Sequence, residues 1–258
     1  MAVSMSSSVA LGSPTTTAAA QEDPTTAALN KISPALGKAH GRVQSQLQSD
    51  STSLSQLGKY KATVADLASA AQALSQLGSG TGTGTGSVAD QAKVVERFVT
   101  AYNQAITASR PDTSSEASST LASSRRALTN ASADTSRSQL AKLGLSRQAD
   151  GTLKLDTAAL NKALTAGAST GTAATGGTGL STLAQLGKAI GKRADNELAS
   201  SSRLATATSL FSGKTTQLKQ QQTRLLEAAT QMSSQASAST GTNTSNWSTQ
   251  QALRKYLV

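Results

Sequence analysis

The chain of 258 residues contains no cysteine and a single histidine, His40. Without cysteine there is no disulfide framework, no thiol nucleophile and no thiolate metal site. A Ser-His-Asp triad would have to use His40 as its base, and this residue lies between Gly37 and Gly41 near a ragged helix start, where we expect a solvated surface position. No cluster of His, Cys or carboxylate residues suggests a metal site. We therefore expect no catalytic residues, no cofactor and no enzyme activity.

Large apolar residues are also scarce. The sequence has 29 Leu, 3 Ile, 9 Val and 2 Phe, and aromatic residues make up only 2% of it. This content is below the roughly 20% under which charged chains tend to stay disordered. Alanine, with 45 residues, makes up about half of the 37% of residues that are hydrophobic, which excludes a thick core and an all-β protein and favours helices with narrow apolar stripes. Since no window approaches 18 consecutive apolar residues, we predict no membrane span.

The charge is strongly basic, with 24 Lys and Arg against 14 Asp and Glu and a formal net charge of +10. Such a charge suits an acidic partner or nucleic acid. The basic residues are scattered, however, and the densest cluster is the pair Arg125-Arg126. The few aromatic residues offer no stacking platform for single strands. Nucleic-acid binding is therefore an alternative and not the interpretation we favour.

Low-complexity segments divide the chain into helical patterns and polar connections. The predicted fold is mainly α, with a long antiparallel helical or coiled-coil stem, a small β-hairpin subdomain and disordered termini. The amino terminus has neither the basic region nor the apolar region of a cleaved secretory peptide. The predicted segments are 1–30 disordered, 31–77 a stem helix, 78–86 a Gly/Thr linker, 87–166 helices plus the hairpin, 167–179 a flexible linker, 180–232 one long heptad-patterned helix and 233–258 a polar tail with a short amphipathic end.

Two of these helical segments carry one apolar stripe each. In the first, apolar residues recur mainly at steps of three, four and seven; in the second they recur every seven residues from Leu183 to Met232, with only Glu197 polar. Gly187, Gly191 and Gly213 each cost the second helix about 1 kcal/mol relative to alanine. Because stripes this narrow need a partner, we predict partner contacts at Leu47, Leu54, Leu57, Val64, Leu67, Leu74, Leu204, Phe211, Leu218, Leu225 and Met232.

A helix is also predicted to begin at Ser87, where Asp90 completes a start similar to a capping box. Apolar residues then alternate at steps of four and three from Val88 to Ile106. A further short helix, carrying Leu121, is predicted over 120–131.

A turn and a strand follow in the sequence. Asp150-Gly151 is a turn signal, and Leu153 and Leu155 alternate with polar neighbours as in a half-buried strand. Asp156 is positioned to cap the next helix. This segment predicts a β-hairpin among the helices.

The motifs Phe98-Val-Thr-Ala-Tyr-Asn103, Leu143-Gly-Leu145 and Asp150-Gly-Thr-Leu-Lys-Leu-Asp156, in this order, resemble the bacterial flagellar filament-cap family, also called hook-associated protein 2. The resemblance covers roughly residues 43–235 and includes the character of the heptads over 204–232. The family usually carries a large outer lobe where this chain has only the linker 78–86. The motif positions are Phe98, Tyr102, Asn103, Gly144, Asp150, Gly151, Leu153, Leu155 and Asp156.

The resemblance implies a secreted structural protein of the flagellum. It would be exported by the type III route, assisted by an export chaperone, and would assemble with itself, flagellin and other axial proteins at the distal tip. There it would guide flagellin into the filament. Independently of the resemblance, the lone indole of Trp247 in the polar tail is either an exposed tail residue or an anchor that becomes buried against a neighbouring subunit on assembly. A hook–filament junction protein or minor filament-associated subunit is the nearer alternative, and a basic coiled-coil nucleic-acid-binding protein is the second.

Overall fold

The computed structural model describes residues 23–77, 87–110, 116–169 and 176–240. Helix makes up 85% of this part of the chain. Contacts divide it into a central unit, residues 43–221, and a terminal unit formed by residues 23–42 and 222–240. The predicted class, mainly α with a small β-hairpin, is confirmed.

The two strands form one antiparallel pair, in which Leu145 lies opposite Leu155 and Arg147 opposite Leu153. None of the described helices is long and apolar enough to cross a membrane. In chain order the elements are α1 (Pro24–Ile32), α2 (Pro34–Gln76), α3 (Val88–Ala108), α4 (Ser118–Ala133), α5 (Arg137–Lys142), β1 (Leu145–Arg147), β2 (Leu153–Leu155), α6 (Thr157–Ser169), α7 (Gly176–Leu198) and α8 (Arg203–Thr240).

The core of the central unit is built from the predicted apolar stripes. On α3, residues at alternating steps of three and four are buried, and the rings of Phe98 and Tyr102 lie 6.2 Å apart. The Ser87 cap is confirmed, because its hydroxyl oxygen accepts a hydrogen bond from the Asp90 N–H at 3.3 Å. The short helix predicted over 120–131 is α4. Fully buried side chains from five other elements, α2, β1, α6, α7 and α8, complete this core: Leu57, Tyr60, Val64, Leu67, Leu74, Leu145, Leu160, Leu183, Leu186, Ile190 and Leu204.

The terminal unit contains a helix that the sequence did not predict. Residues 24–30 lie in α1, so the prediction of disorder over 1–30 is wrong there; residues 1–22 lie outside the described part. Proline at the first position suits a helix start, and the Asp23 side chain accepts a hydrogen bond from the Thr26 N–H at 3.2 Å. Leu29 is completely buried in a small cluster with Leu226 and Ala229 of α8. This long-range packing, together with the cap, stabilises a segment of polar composition.

The long helix predicted over 180–232 is wrong as a single element, since α7 ends at Leu198 and α8 begins at Arg203. Residues 200–202 are three consecutive serines, whose side chains compete for backbone hydrogen bonds and favour helix ends. Ser202 begins the new helix by accepting a hydrogen bond from the Ala205 N–H at 3.1 Å. The seven-residue spacing continues across the break and so conceals it.

The helices extend into the segments that were predicted to be the flexible linker 167–179 and the polar tail 233–258. Residues 167–169 belong to α6, residues 176–179 to α7 and residues 233–240 to α8, because helical hydrogen bonding continues into the adjoining polar sequence. The linker 78–86 lies outside the described residues, as do residues 241–258 with Trp247 and the amphipathic end.

Candidate functional site

The motif residues meet where α3 packs against the β-hairpin. The side-chain amide of Asn103 donates to the carbonyl oxygen of Leu153 at 2.8 Å and accepts from the N–H of the same residue, also at 2.8 Å. One amide therefore pairs with both backbone groups of a β2 residue, as a neighbouring strand would. Since Leu153 is 3% exposed, these backbone groups depend on Asn103 for hydrogen bonds.

The turn of the hairpin is stabilised by its own side chains and by Arg110, which follows the end of α3. Asp150 accepts hydrogen bonds from the Thr152 hydroxyl at 2.6 Å and the Thr152 N–H at 3.0 Å, and it forms an ion pair with Arg110 at 2.6 Å. The Thr152 bonds, followed by Arg110, lower the pKa of the Asp150 carboxyl to about 2. Gly151 has a φ of 88°, which a side chain rarely adopts, and its position faces Thr129 of α4 so closely that an added Cβ would lie 2.8 Å from Thr129 Cγ2.

The two ends of the hairpin are joined at Gly144, which has a φ of 73°. Its carbonyl oxygen accepts a hydrogen bond from the Asp156 N–H at 2.8 Å, and a Cβ on Gly144 would lie 2.5 Å from the Asp156 carbonyl oxygen. The Asp156 side chain accepts from the Ala159 N–H at 3.0 Å, so the predicted helix cap is confirmed. Leu155 is half-buried against the main core. The predicted hairpin, turn and cap are thus all present.

Phe98 and Tyr102 connect this hairpin to the core through α3. Both are completely buried, and the Tyr102 hydroxyl donates to Ser132 Oγ of α4 at 3.1 Å. Burial raises the pKa of the Tyr102 phenol. Arg147 of β1 also donates to the Ser132 carbonyl oxygen. The motif residues therefore join α3, α4 and the hairpin into one module, which we call the hairpin module.

The stripe residues differ in how far they are buried. Six of the eleven predicted contact residues are at most 4% exposed and pack in the core of the central unit: Leu57, Val64, Leu67, Leu74, Leu204 and Phe211. The half-buried ones are Leu47, Leu54, Leu218 and Leu225, while Met232 is 44% exposed. Leu210 of α8, which the sequence did not single out, is 56% exposed. A role in partner contacts stays a prediction, and in this conformation the half-buried and exposed members are the accessible ones.

The buried face of α8 shifts along the helix relative to the heptad. In the terminal unit the buried residues of α8 include Leu226, Ala229 and Ser233. Leu226 and Ser233 directly follow the heptad positions Leu225 and Met232. An α-helix has 3.6 residues per turn, so its buried face drifts by about 20° per heptad relative to a strict repeat of seven. Over four heptads this drift is nearly one residue position, which accounts for the change.

A buried polar cluster in the central unit was not predicted. Glu197 of α7 is 6% exposed, accepts from Ser124 Oγ of α4 at 2.7 Å, and forms an ion pair with Arg193 at 2.5 Å. Tyr60 is completely buried; burial, and then the nearby Glu197 charge, raise the pKa of its phenol. In the sequence Glu197 interrupts the heptad of apolar residues. Arg193, four residues earlier, indicated an ion pair along the helix, but nothing indicated that this pair is buried.

The predicted surface position of His40 is wrong, since this side chain is 1% exposed in the terminal unit. Its Nδ1 lies 2.9 Å from Thr26 Oγ1, and its Nε2 lies 3.2 Å from the side-chain amide of Gln222. Burial lowers the pKa of the imidazole, and the carboxylate of Asp23, 3.9 Å away, opposes this shift more weakly. The hydrogen bonds and burial explain His40 as a packing residue of the three helical segments of this unit.

The side-chain contacts described above join the helices to one another and to the hairpin. Within the described ranges, no group of three or more His, Cys, Asp or Glu side chains could hold a metal ion. No protein-family model, no curated protein and no solved structure matches this chain. What the fold defines is a mainly helical protein, compatible with coiled-coil packing, that carries one hairpin module.

Proposed function

We propose that this chain is a secreted structural protein of the bacterial flagellum, similar to the filament cap, which assembles as an oligomer at the distal tip and guides flagellin into the filament. The observation that carries the proposal is the hairpin module. The residues on which the family resemblance depends form one connected set of contacts, centred on the double hydrogen bond between Asn103 and Leu153. Unrelated residues that happened to match a motif would not be expected to meet in this way.

The long helices provide surfaces through which such a protein could exchange partners. α2 has 43 residues and α8 has 38, and each carries half-buried or exposed leucines outside the core. Leu210 and Met232 are the large apolar side chains most exposed in the described part of the chain. Because about half of each side chain is already buried, its complete burial against flagellin or a second copy would contribute about 1 kcal/mol.

The assembly role is tested in a strain from which this chain has been deleted. We expect unpolymerised flagellin in the culture medium, and filaments that are short or missing in electron micrographs. Restoring the wild-type chain is expected to reverse both effects. A Leu210→Asp variant is expected to restore them poorly, because a charge would replace an exposed apolar contact without disturbing the core.

Gln220→Asp is the matched control, since it adds the same charge at another exposed position of α8. Normal filaments and no leakage in the deletion strain would contradict a capping role. Loss of attachment between hook and filament would instead support the junction alternative. Binding to nucleic acid that weakens steeply with salt would support the second alternative.

A further inference from the structure

Two open cavities lie on either side of α4 in the central unit. The first has a volume of about 600 Å³ and the second about 490 Å³, and Asn130 of α4 lines both. Three arginines and a single carboxylate residue line each cavity. The sequence showed only the pair Arg125-Arg126, which the fold joins with arginines from four other segments of the chain.

In the first cavity, two of the three arginines already have partners. Arg110 forms the ion pair with Asp150, and Arg147 donates to the Ser132 carbonyl oxygen. The guanidinium group of Arg125 forms no hydrogen bond or ion pair with any residue that the structure describes.

The second cavity repeats this arrangement. Arg193 is paired with Glu197, the one carboxylate among the described residues that line that cavity. The guanidinium groups of Arg126 and Arg203 have no hydrogen-bond or ion-pair partner within the described ranges. Because consecutive residues of a helix point about 100° apart, Arg125 and Arg126 lie on different faces of α4, and each lines one of the two cavities.

From this geometry we infer that the two cavities together bind an acidic peptide segment of a partner protein, which crosses α4 at Asn130 and places carboxylates against Arg125, Arg126 and Arg203. A guanidinium group matches a carboxylate with two parallel hydrogen bonds. Asn130 has a donor and an acceptor that can pair with the backbone of an extended peptide. A ligand that occupies both cavities must be elongated and carry anionic groups at separate points, as an acidic peptide does.

The composition of the lining argues against single-stranded nucleic acid. Among the described residues that line the two cavities there is no aromatic side chain on which a base could stack, and there is no lysine. The net charge of +10 attracts an acidic protein over longer distances. This inference does not depend on a flagellar role, since the guanidinium groups of Arg125, Arg126 and Arg203 have no partner among the described residues, whatever the chain assembles with.

The test measures the binding of a fluorescent peptide of alternating Glu and Gly to the full chain by fluorescence anisotropy. We expect the combined variant Arg125→Gln, Arg126→Gln and Arg203→Gln to bind roughly tenfold more weakly, as the loss of three exposed ion pairs implies. The variant is expected to fold, because these guanidinium groups form no hydrogen bond or ion pair with the described residues and glutamine keeps most of each side chain. Circular dichroism checks this.

A second variant removes the same charge elsewhere, through Lys59→Gln, Lys61→Gln and Arg97→Gln, all at exposed positions outside the cavities. It is expected to bind like the wild type. Equal weakening in both variants would overturn the inference, because the attraction would then be non-specific. Absence of binding, tighter binding of an oligothymidine of the same charge, or complete displacement of the peptide by low concentrations of inorganic phosphate would overturn it too.

Discussion

Gly187 of α7 allows two helices to approach at backbone distance. A Cβ added there would lie 2.7 Å from the Ala71 carbonyl oxygen and 2.7 Å from the Ser75 nitrogen, both in α2. Because these are main-chain atoms, no side chain can rotate away to make room. Gly187→Ala would therefore force the two helices apart.

The magnitude follows from two opposing terms. Alanine gains about 1 kcal/mol over glycine in a helix interior, while overpacking a tight contact costs about 1–3 kcal/mol or more. At Gly187, where the clash is with backbone, we expect the second term to dominate and to lower the free energy of unfolding by about 1–2 kcal/mol. Gly213 of α8 has nothing within 4 Å of the added Cβ, so Gly213→Ala is expected to raise the free energy by up to about 1 kcal/mol.

Urea unfolding followed by far-ultraviolet circular dichroism measures both variants against the wild type. We expect the two variants to change the free energy of unfolding in opposite directions and to differ from each other by about 1–3 kcal/mol. The slope of the free energy against urea concentration is expected to stay the same. If Gly187→Ala were as stabilising as Gly213→Ala, α7 would not contact the α2 backbone, and the packing described for the central unit would be refuted.

Three other predictions concern single side chains. Asn103→Asp would place a carboxylate oxygen against the Leu153 carbonyl oxygen and is expected to lower the free energy of unfolding, measured in urea, by about 2–3 kcal/mol. The control Asn161→Asp, at an exposed position, should change it by about 0.5 kcal/mol or less. Equal effects would refute the double hydrogen bond between Asn103 and Leu153. Ser124→Ala removes a buried hydrogen-bond donor to Glu197 and should lower the free energy of unfolding by about 1–3 kcal/mol in the same assay. The control Ser119→Ala, at an exposed position, should change it little. Similar values for the two variants would contradict the buried polar cluster. Burial lowers the pKa of His40 in the folded state, whereas in the unfolded state this pKa is near 6.5. As the pH drops below 6.5, the unfolded state therefore binds more protons than the folded state, and the melting temperature should fall. His40→Gln should weaken this dependence, and an unaltered dependence would show that His40 is not its source.

The β-hairpin and the cap that follows it were predictable because their sequence signals are local. The Asp-Gly turn, the alternation of Leu153 and Leu155, and the Asp156 cap lie within seven residues of one another. The α3 helix likewise has its cap and its apolar spacing in one segment. What the sequence did not reveal is that Asn103 reaches a strand residue 50 positions away.

The errors came from interactions between distant segments. His40 is buried by Thr26 and Gln222, which lie 14 and 182 positions from it, and its immediate neighbours give no hint of this. The break after Leu198 was hidden because the heptad spacing resumes in phase beyond the serines. The arginine-lined cavities depend on residues from five segments, so only the fold brings them together.

The proposed role is tested most directly by locating the protein on isolated flagella. An epitope-tagged chain that still restores filaments in the deletion strain would be labelled with gold-coupled antibody and imaged by electron microscopy. We expect label at the distal tips of the filaments and none along the shafts. Label at the hook, along the shaft or only inside the cells would contradict a cap.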